Sequence, residues 1–533
     1  MNKQSFIHGT MILLAAGLIN RILGFIPRII LPRIIGAEGV GLYQLGYPFF
    51  LVIVTIISGG IPLAISKLVA EAESEGQPDR SRAILRTSLI FSISAGFLFT
   101  FLCLFGASWI TRNILPDSRV YHTFISMSPM IVIIAVSSVY RGYFQGKQDM
   151  IPSATSSIME TLTRILCVLW FSYLLFPMGV AYGAAGAMLG VVAGEIVGML
   201  VLLWQMRRLK RQERNDHSGL LLEQSHSSHL EQPHSNHPNS VRRTLRRILG
   251  IALPVTGGRL VGSLSYLLES ITTAQSLAIA GIATAIATAQ YGALQGMIIP
   301  LLLLPGALTS SLAVSLVPSL AEAQARGDMR TIHKRLHQSI KLALVSGAPF
   351  AVIMYVMAEP LCVLLYKNSE IAGMLKLMAP FAILIYLQGP LQAALQALDQ
   401  PGKALTNTLI GAVVKIGLIL YLASNPALGI YGAIIAIIVN IVIVTLLHAG
   451  AVAVALKYHI PWMDFFKVSG VMIIMAGAVS LIYHEVSLGS QIWLKFAASA
   501  VLGGILYLIL VALLGLVDRS DLQRVPFIGR WFT

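Results

Sequence analysis

The stretch LGIYGAIIAIIVNIVIVTLLHAGAVAVAL (428–456) decides the class of this protein, because it contains no Asp, Glu, Lys or Arg. A bilayer core is crossed by roughly 20 apolar helical residues, so this run is long enough for a transmembrane helix. Of the 533 residues, 56% are hydrophobic and only 11% are charged, against about 25% charged in a soluble globular protein. These values exclude a water-soluble globular protein, and they also exclude a disordered or fibrous chain.

Similar apolar runs occur along the whole chain, separated by charged or Pro/Gly-rich clusters, and they predict fourteen spans. Their approximate limits are 7–30, 42–68, 84–110, 122–146, 153–177, 181–206, 244–275, 283–320, 338–366, 373–397, 404–424, 428–456, 466–484 and 491–517. The run 283–320 contains Pro300 and Pro305, which predicts one kinked helix or a helix with a re-entrant piece. The first run continues through Arg21 without a small-x-small cleavage site, which favours a retained span over a signal peptide.

Lys and Arg are distributed unevenly between the predicted loops. With the N-terminus inside, the inside segments carry 27 of these residues and the outside segments carry 7. Positive residues concentrate on the cytoplasmic side of membrane proteins, so the split favours an even number of spans and two cytoplasmic termini. Basic loops facing anionic lipid account for most of the net charge of +15, and nucleic-acid binding is therefore not predicted.

One long hydrophilic stretch, 207–243, is rich in Ser, His, Asn and Pro and predicts a disordered cytoplasmic linker. Metal binding is the alternative interpretation of its five histidines, but the composition disfavours the helix that would pair them, and no metal is predicted. These histidines are His217, His226, His229, His234 and His237. The predicted parts of the chain are an N-terminal lobe (1–206, spans 1–6), this linker (207–243), a C-terminal lobe (244–456, spans 7–12), and spans 13 and 14 with a tail (457–533).

The two predicted lobes share an internal repeat, which organises the whole all-α prediction. The matching segments are 68–76 with 319–327, 186–194 with 432–440, and the loops 144–148 with 399–404. Six spans per copy is an even number, so both copies enter the membrane in the same sense. Such parallel repeats are typical of rocking transporters. The predicted fold is therefore two six-helix lobes in parallel repeat, followed by two extra C-terminal helices.

Ionisable residues at bilayer depth cost at least ~2.5–3.5 kcal/mol, so each is expected to face a cavity or a partner. The candidates are Arg21, Arg28, Glu160, Arg164, Glu195, Arg259, Glu269 and Lys415. Glu160 and Arg164 are four residues apart and can pair across one helical turn. Such a pair serves either helix packing alone or a charge network, and Glu195 is expected to bridge to Arg164 or to another helix. Glu269 either holds a coupling cation or balances an arginine, and Lys415 is a second-lobe analogue of Arg164.

Three arginines are the candidates for substrate binding. Arg21 and Arg28 are seven residues apart, which predicts one face of the first span, and Arg259 lies in the matching span of the second lobe. Repeat symmetry would direct arginines from both lobes towards a central axis, where a cationic lining would bind an anion. Guanidinium groups suit phosphate because their planar fork makes paired charge-assisted hydrogen bonds. Snorkelling at the outer interface is the alternative for Arg28 and Arg33.

Signatures of soluble catalysis are missing from the sequence. It contains no Gly-rich loop ending in Lys-Ser/Thr, no nucleophile elbow and no His/Cys/Asp cluster with metal-ligand spacing. We therefore predict that the protein is not an enzyme and uses no cofactor.

Four stretches resemble a known family of bacterial membrane proteins. They are RILGFIPRIILPRIIGAEGVGLYQ (21–44), GGIPLAISKLVAEA (59–72), RGYFQGKQDMIPSATSSIMETLTRI (141–165) and ALPVTGGRLVGSL (252–264). They are similar to the stage V sporulation protein B group of Bacillus-type bacteria. That group belongs to the polysaccharide transporter branch of the multidrug/oligosaccharidyl-lipid/polysaccharide exporter superfamily, and it is related to the lipid II flippases.

The resemblance implies fourteen spans, a V-shaped central cavity and a bacterial cytoplasmic membrane. It also implies a substrate of the undecaprenyl-pyrophosphate-linked saccharide type, moved outward by alternating access in cell-wall or spore-cortex synthesis. By motif position, Arg21, Arg28 and Arg259 are then expected to line the cavity, and the two extra helices to shelter the lipid tail. Two alternatives are a cation-coupled multidrug antiporter with Glu269 or Glu195 as its carboxylate, and a non-transporting scaffold that recruits cell-wall synthases.

Overall fold

The structure is a computed structural model that describes residues 6–115, 117–224, 241–458, 462–485 and 491–516. Within these ranges the chain forms twenty α-helices and no strand, which confirms the predicted all-α class. The helices are α1 (Phe6–Leu23), α2 (Phe25–Ser58), α3 (Ile61–Ser74), α4 (Pro78–Asn113), α5 (Val120–Met127), α6 (Met130–Gly146), α7 (Ile151–Leu175), α8 (Val180–Gln224), α9 (Val241–Ile279), α10 (Thr284–Gly292), α11 (Ile299–Leu303), α12 (Gly306–Ala325), α13 (Met329–Val356), α14 (Ala358–Tyr366), α15 (Ala372–Met378), α16 (Ala382–Ala397), α17 (Pro401–Leu422), α18 (Ile430–Leu456), α19 (Trp462–Glu485) and α20 (Ile492–Leu513).

Thirteen helical segments of the described chain are long and apolar enough to cross a membrane. The first of them, Ala15–Ser74, has 60 residues, about 90 Å of helix at 1.5 Å per residue, or roughly three times the thickness of a bilayer core. Gly36 interrupts it with φ 71° and ψ 176°, values outside the helical region. The segment therefore holds two crossings, and the chain has about fourteen, as predicted.

The predicted kinked span is broken more than once. Between α10 and α11 the helix widens into a π-helical turn over Ala293–Ile298, and a further break at Pro305 separates α11 from α12. Proline lacks the N–H that an interior helical position donates, and its ring clashes with the preceding turn. Pro305 therefore stands immediately before α12 begins.

The chain divides into two compact units, Met1–Ile271 and Thr272–Thr533. In the first unit α3 packs on α4 and α6, and α7 packs on α8. In the second unit α12 packs on α13 and α16, and α17 packs on α18. The same pattern of helix–helix packing therefore occurs in both units. Helices α19 and α20 pack on each other and on α13, and they have no counterpart in the first unit.

Backbone turns recur at the spacing of the sequence repeat. Gly76 and Gly327, 251 residues apart, end α3 and α12 with the same φ of +68°. Gln148 and Asp399, also 251 residues apart, take φ values of 60° and 56° although neither is glycine. Left-handed backbone is uncommon outside glycine, so two coincidences at one spacing indicate that the repeat is structural.

Close packing of α7 on α8 depends on glycines at every fourth position. Gly186, Gly190, Gly194 and Gly198 form one face of α8. A Cβ atom at Gly190 would lie 2.3 Å from the backbone nitrogen of Val168, and the other three would also meet α7 at 3.1 Å or less. Small residues at this spacing let membrane helices approach backbone to backbone. This approach brings the charged residues of the two helices together.

Part of the predicted linker is helical. Helix α8 continues to Gln224, past the predicted end of span 6. Glu213 on this extension accepts a hydrogen bond from Lys147 at 2.6 Å and pairs with Arg82 at 3.3 Å. These ion pairs hold the extension against α4 and the α6–α7 turn. Residues 225–240, with most of the histidines, lie outside the described residues, so the disordered linker remains a prediction there.

Candidate functional site

The break between α2 and α3 lies at Gly59 and Gly60, and α9 passes directly against it. A Cβ atom at Gly60 would lie 2.2 Å from the carbonyl oxygen of Ala252 on α9. Only a glycine lets the two backbones come this close. The Gly-Gly dipeptide, followed by Pro62, is a sequence signal for this break, but the predicted span 42–68 runs through it without interruption.

Arg259 is anchored at this break. Its Nη1 atom donates a hydrogen bond to the carbonyl oxygen of Gly59 at 2.6 Å. Carbonyls at the end of a helix lack an intrahelical partner, so a guanidinium group is a suitable partner for this one. A guanidinium group carries five N–H donors, and the Arg259 side chain remains exposed. It can therefore hold the break and an anion at the same time.

Arg28 lies beside an aromatic cluster formed by α2 and α9. Tyr43 and Tyr47 stack with ring centroids 6.1 Å apart, and the Tyr266 hydroxyl donates to Oε1 of Gln44 at 3.3 Å. Arg28 is close enough to all three tyrosines to interact with them electrostatically. Sequence reasoning missed these tyrosines, although the four-residue spacing of Tyr43 and Tyr47 places them on one helical face.

Arg21 and Arg28 lie on different helices. Arg21 is in the last turn of α1 and Arg28 is near the start of α2. At Gly24, between them, the backbone stays in the right-handed helical region, and its N–H donates to the carbonyl oxygen of Asn20 at 2.8 Å. The face that their seven-residue spacing predicts for them remains a prediction. The end of α1 is held against α7 by Asn20, which donates to Ser157 at 2.6 Å.

The ion pair expected from the spacing of Glu160 and Arg164 is present on α7 and belongs to a larger cluster. Arg164 also contacts Glu195 on α8 at 3.6 Å, the bridge that was expected as one of two options. Arg141 on α6 donates to Oε2 of Glu160 at 2.5 Å, a contact that sequence reasoning missed. Glu160 is only 6% exposed. Two cations and two carboxylates thus form a balanced cluster that ties α6, α7 and α8 together.

The two remaining candidates are buried in different units. Glu269 lies on α9, 6% exposed, and interacts electrostatically with Tyr266 in the first unit. Lys415 lies on α17 of the second unit, 9% exposed and 251 residues after Arg164. Within the first unit, the structure brings Arg141, Glu160, Arg164 and Glu195 together.

The register of the repeat explains why the second unit lacks this cluster. In the first unit Gly186 of α8 packs on Phe171 of α7, and in the second unit Gly432 of α18 packs on Leu422 of α17. Equivalent residues of α8 and α18 are therefore 246 positions apart in the sequence, and those of α7 and α17 are 251 apart. These offsets place Gly411 and Ile441 at the positions of Glu160 and Glu195. Only the cation at the Arg164 position is retained, as Lys415.

Known structures share this fold. A structure of the lipid II flippase MurJ in an inward closed conformation aligns with a TM-score of 0.66 at 16% identity, over 95% of this chain and 98% of that one. An inward-facing multidrug resistance transporter of the MATE family, in the MOP superfamily, aligns with a TM-score of 0.61 at 17% identity, over 82% of this chain and 96% of that one. The chain therefore has the fold of these two polytopic membrane proteins.

Sequence comparison identifies the family within this class. Residues 6–324 match the polysaccharide biosynthesis protein family, and the chain belongs to that family. It is 40% identical to stage V sporulation protein B of Bacillus subtilis (strain 168), over 99% of both chains. It is 23% identical to the lipid II flippase MurJ of the same organism, over 78% of this chain and 76% of that one. The resemblance stated from the sequence motifs is confirmed.

Proposed function

We propose that this protein is a flippase that moves an undecaprenyl-pyrophosphate-linked saccharide across the bacterial cytoplasmic membrane by alternating access. Similarity to stage V sporulation protein B and to the lipid II flippase MurJ supports a lipid-linked saccharide as the substrate class. The same similarity favours a peptidoglycan precursor or polysaccharide unit, used in cell-wall or spore-cortex synthesis.

The observation that carries this proposal is the exposure of the three candidate guanidinium groups in the first unit, Arg21, Arg28 and Arg259. The carboxylates Glu160 and Glu195 nearby on α7 and α8 are occupied by Arg141 and Arg164. They are therefore poorly placed to neutralise a further cation. Exposed guanidinium groups in a membrane-embedded unit need a polyanionic partner, and a diphosphate offers paired acceptor oxygens to each planar fork.

The direction of transport follows from the charge of the empty carrier. With both termini in the cytoplasm, as the loop charges indicate, a cytoplasm-negative potential would return the cationic substrate-free state inward. This bias amounts to about 2.3 kcal/mol per charge per 100 mV. Helices α19 and α20, which lie outside the repeat, would then shelter the polyprenyl chain.

The test is flipping of a fluorescent undecaprenyl-diphosphate saccharide by full-length protein in proteoliposomes. Arg28→Ala and Arg259→Ala are each expected to lower the flipping rate by at least about tenfold, since each removes a charge-assisted contact of roughly 1.5–3 kcal/mol. Arg259→Lys should restore less than half of the rate, because an ammonium group cannot make the bidentate contact. Arg112→Ala, an exposed arginine in the last turn of α4, is the matched control. The assignment is refuted if Arg28→Ala, Arg259→Ala and Arg259→Lys all insert normally and flip the substrate at the wild-type rate.

A cation-coupled antiporter is the second candidate, and the burial of Glu269 on α9 favours it. That mechanism needs a carboxylate that exchanges a coupling cation for a drug cation. Wild-type protein would then export a cationic dye and Glu269→Gln would abolish that efflux, whereas the flippase proposal expects no dye efflux from wild-type protein. A scaffold for cell-wall synthases would instead tolerate both arginine variants and fail only on changes to the loops.

A further inference from the structure

A polar cavity of about 310 Å³ lies where the end of α3, the start of α4 and the start of α9 meet. It is separate from the residues assigned to transport. Three arginines line it, Arg80 from α4 and Arg243 and Arg247 from α9, together with the polar side chains of Gln77 and Thr244. No carboxylate is among the described residues that line it. A cavity of this size, whose charged lining is wholly cationic, suits a small anionic ligand.

Two carboxylates that are not among the described lining residues hold two of the arginines in place. Glu71 pairs with Arg247 at 2.8 Å and approaches Arg80 at 4.0 Å. Glu75 pairs with Arg80 from the turn after α3. Both acidic groups are thus directed at guanidinium groups that have further N–H donors. The ion pairs fix the orientation of Arg80 and Arg247 without removing their capacity to bind an anion.

The start of α4 adds a second source of positive potential, of which Asp79 in the first turn, paired with Arg82, offsets part. Pro78 is the first residue of this 36-residue helix, and Gln77 before it and Arg80 in the first turn both line the cavity. The first N–H groups of a helix have no intrahelical acceptor and carry the positive end of the helix dipole. Gln77 accepts from Arg80 through Oε1 at 3.3 Å, so its amide NH₂ group is the part that can donate elsewhere.

From this arrangement we infer that the α3–α4–α9 cavity binds a phosphate-bearing anion. Planar guanidinium groups from two helices, a hydroxyl, an amide and a helix N-terminus together form the donor set that recognises phosphate oxygens. The chemistry is shared by an anionic phospholipid headgroup and by a soluble phosphate compound. Bound there, the anion would add a link between the first turns of α4 and α9 to the ion pairs that Glu71 makes with Arg80 and Arg247.

The inference can be tested by ligand binding to full-length protein without measuring transport. One arm counts phosphatidylglycerol and phosphatidylcholine molecules retained per protein by native mass spectrometry. The other arm measures the shift in melting temperature caused by inorganic pyrophosphate. The variants are the double change Arg243→Gln with Arg247→Gln, and Thr244→Glu, which adds a carboxylate to the cavity and leaves the ion pairs intact. Arg86→Gln, an exposed arginine on α4 outside the cavity lining, is the control.

Wild-type protein and the control should retain phosphatidylglycerol over phosphatidylcholine or should be stabilised by pyrophosphate. Both cavity variants should weaken that binding by about tenfold. A loss confined to phosphatidylglycerol identifies a lipid headgroup, and a loss confined to pyrophosphate identifies a soluble ligand. The inference is overturned if Thr244→Glu binds each probe as well as wild-type protein does, or if wild-type protein binds neither probe. Because flipping is not measured, these outcomes are independent of the proposed function.

Discussion

Removing the charge of Glu160 should destabilise the first unit more than any other single change in its ion-pair cluster. Glu160→Gln keeps the size of the side chain but withdraws the acceptor shared by Arg141 and Arg164. Glu160 is 6% exposed, so both guanidinium groups would lose their main counter-charge near the core. Breaking a buried pair from one side costs about 3–5 kcal/mol. Since the two arginine side chains are about one third exposed, solvent offsets part of this loss and we expect about 3 kcal/mol.

Glu195→Gln is the matched control for this prediction. It removes the same charge from the same cluster, but the ion pair of Glu195 with Arg164 is longer, at 3.6 Å, and its interaction with Arg141 is electrostatic without an ion pair. A longer single ion pair should contribute roughly 1 kcal/mol or less. The free energy of unfolding of each variant can be compared by equilibrium titration with SDS in mixed micelles, followed by tryptophan fluorescence. Glu160→Gln should shift the midpoint to clearly lower SDS, and Glu195→Gln should shift it little.

The double change Glu160→Gln with Arg164→Gln separates the pair from the rest of the cluster. If the charges act as a unit, the double variant should be less destabilised than the sum of the single changes by at least ~1 kcal/mol. The reasoning is refuted if Glu160→Gln and Glu195→Gln cost the same, or if the two single changes add without coupling. Either result would mean that close packing of α7 on α8, and not the ion pairs, holds these helices together.

Two further predictions concern single positions. Gly60→Ala places a methyl group against the backbone of Ala252 and should lower the free energy of unfolding by about 1–3 kcal/mol through overpacking. Its control is Gly250→Ala on α9, where the added methyl group meets open space. The control should be neutral or slightly stabilising in the same SDS titration. Asp328 caps α13 by accepting a hydrogen bond from the backbone N–H of Thr331 at 3.0 Å. Asp328→Ala should therefore speed hydrogen exchange of the amides in the first turn of α13. Unchanged exchange would contradict the cap. Hydrogen bonds from Thr331 lower the pKa of Asp328, so the cap should persist at neutral pH and be lost as the pH falls below the ordinary value of 3.8 towards the lowered one.

Local sequence features predicted what depends on a single helix. Hydrophobic runs located the spans because a bilayer core demands continuous apolar helix, and the first two spans were separated correctly although the helix bends without a loop at Gly36. The four-residue spacing of Glu160 and Arg164 predicted their ion pair because helical geometry alone brings such side chains together. The repeat was recognisable because its turns need the same left-handed backbone at Gly76 and Gly327.

The boundary between the two halves illustrates the limit of such reasoning. The sequence repeat assigns α9 to the second lobe, and that assignment remains a prediction. By contacts, the compact units divide within α9, between Ile271 and Thr272, so most of this helix packs with the first unit. The cause is the close approach at Gly60, together with the bond from Arg259 to Gly59. No feature of the α9 sequence encodes this approach by itself.

The sequence alone determined the class, the approximate number of crossings, the repeat and a list of candidate charges within the spans, because each depends on composition or on spacing within one helix. Only the tertiary structure decided which charges meet. Arg141 reaches Glu160 from another helix, and Arg259 reaches a carbonyl 200 residues away along the chain. Such contacts depend on how closely two backbones approach, and glycines at a few packed positions set that distance. The contacts of the proposed transport site and of the arginine-lined cavity are therefore visible only in the tertiary structure.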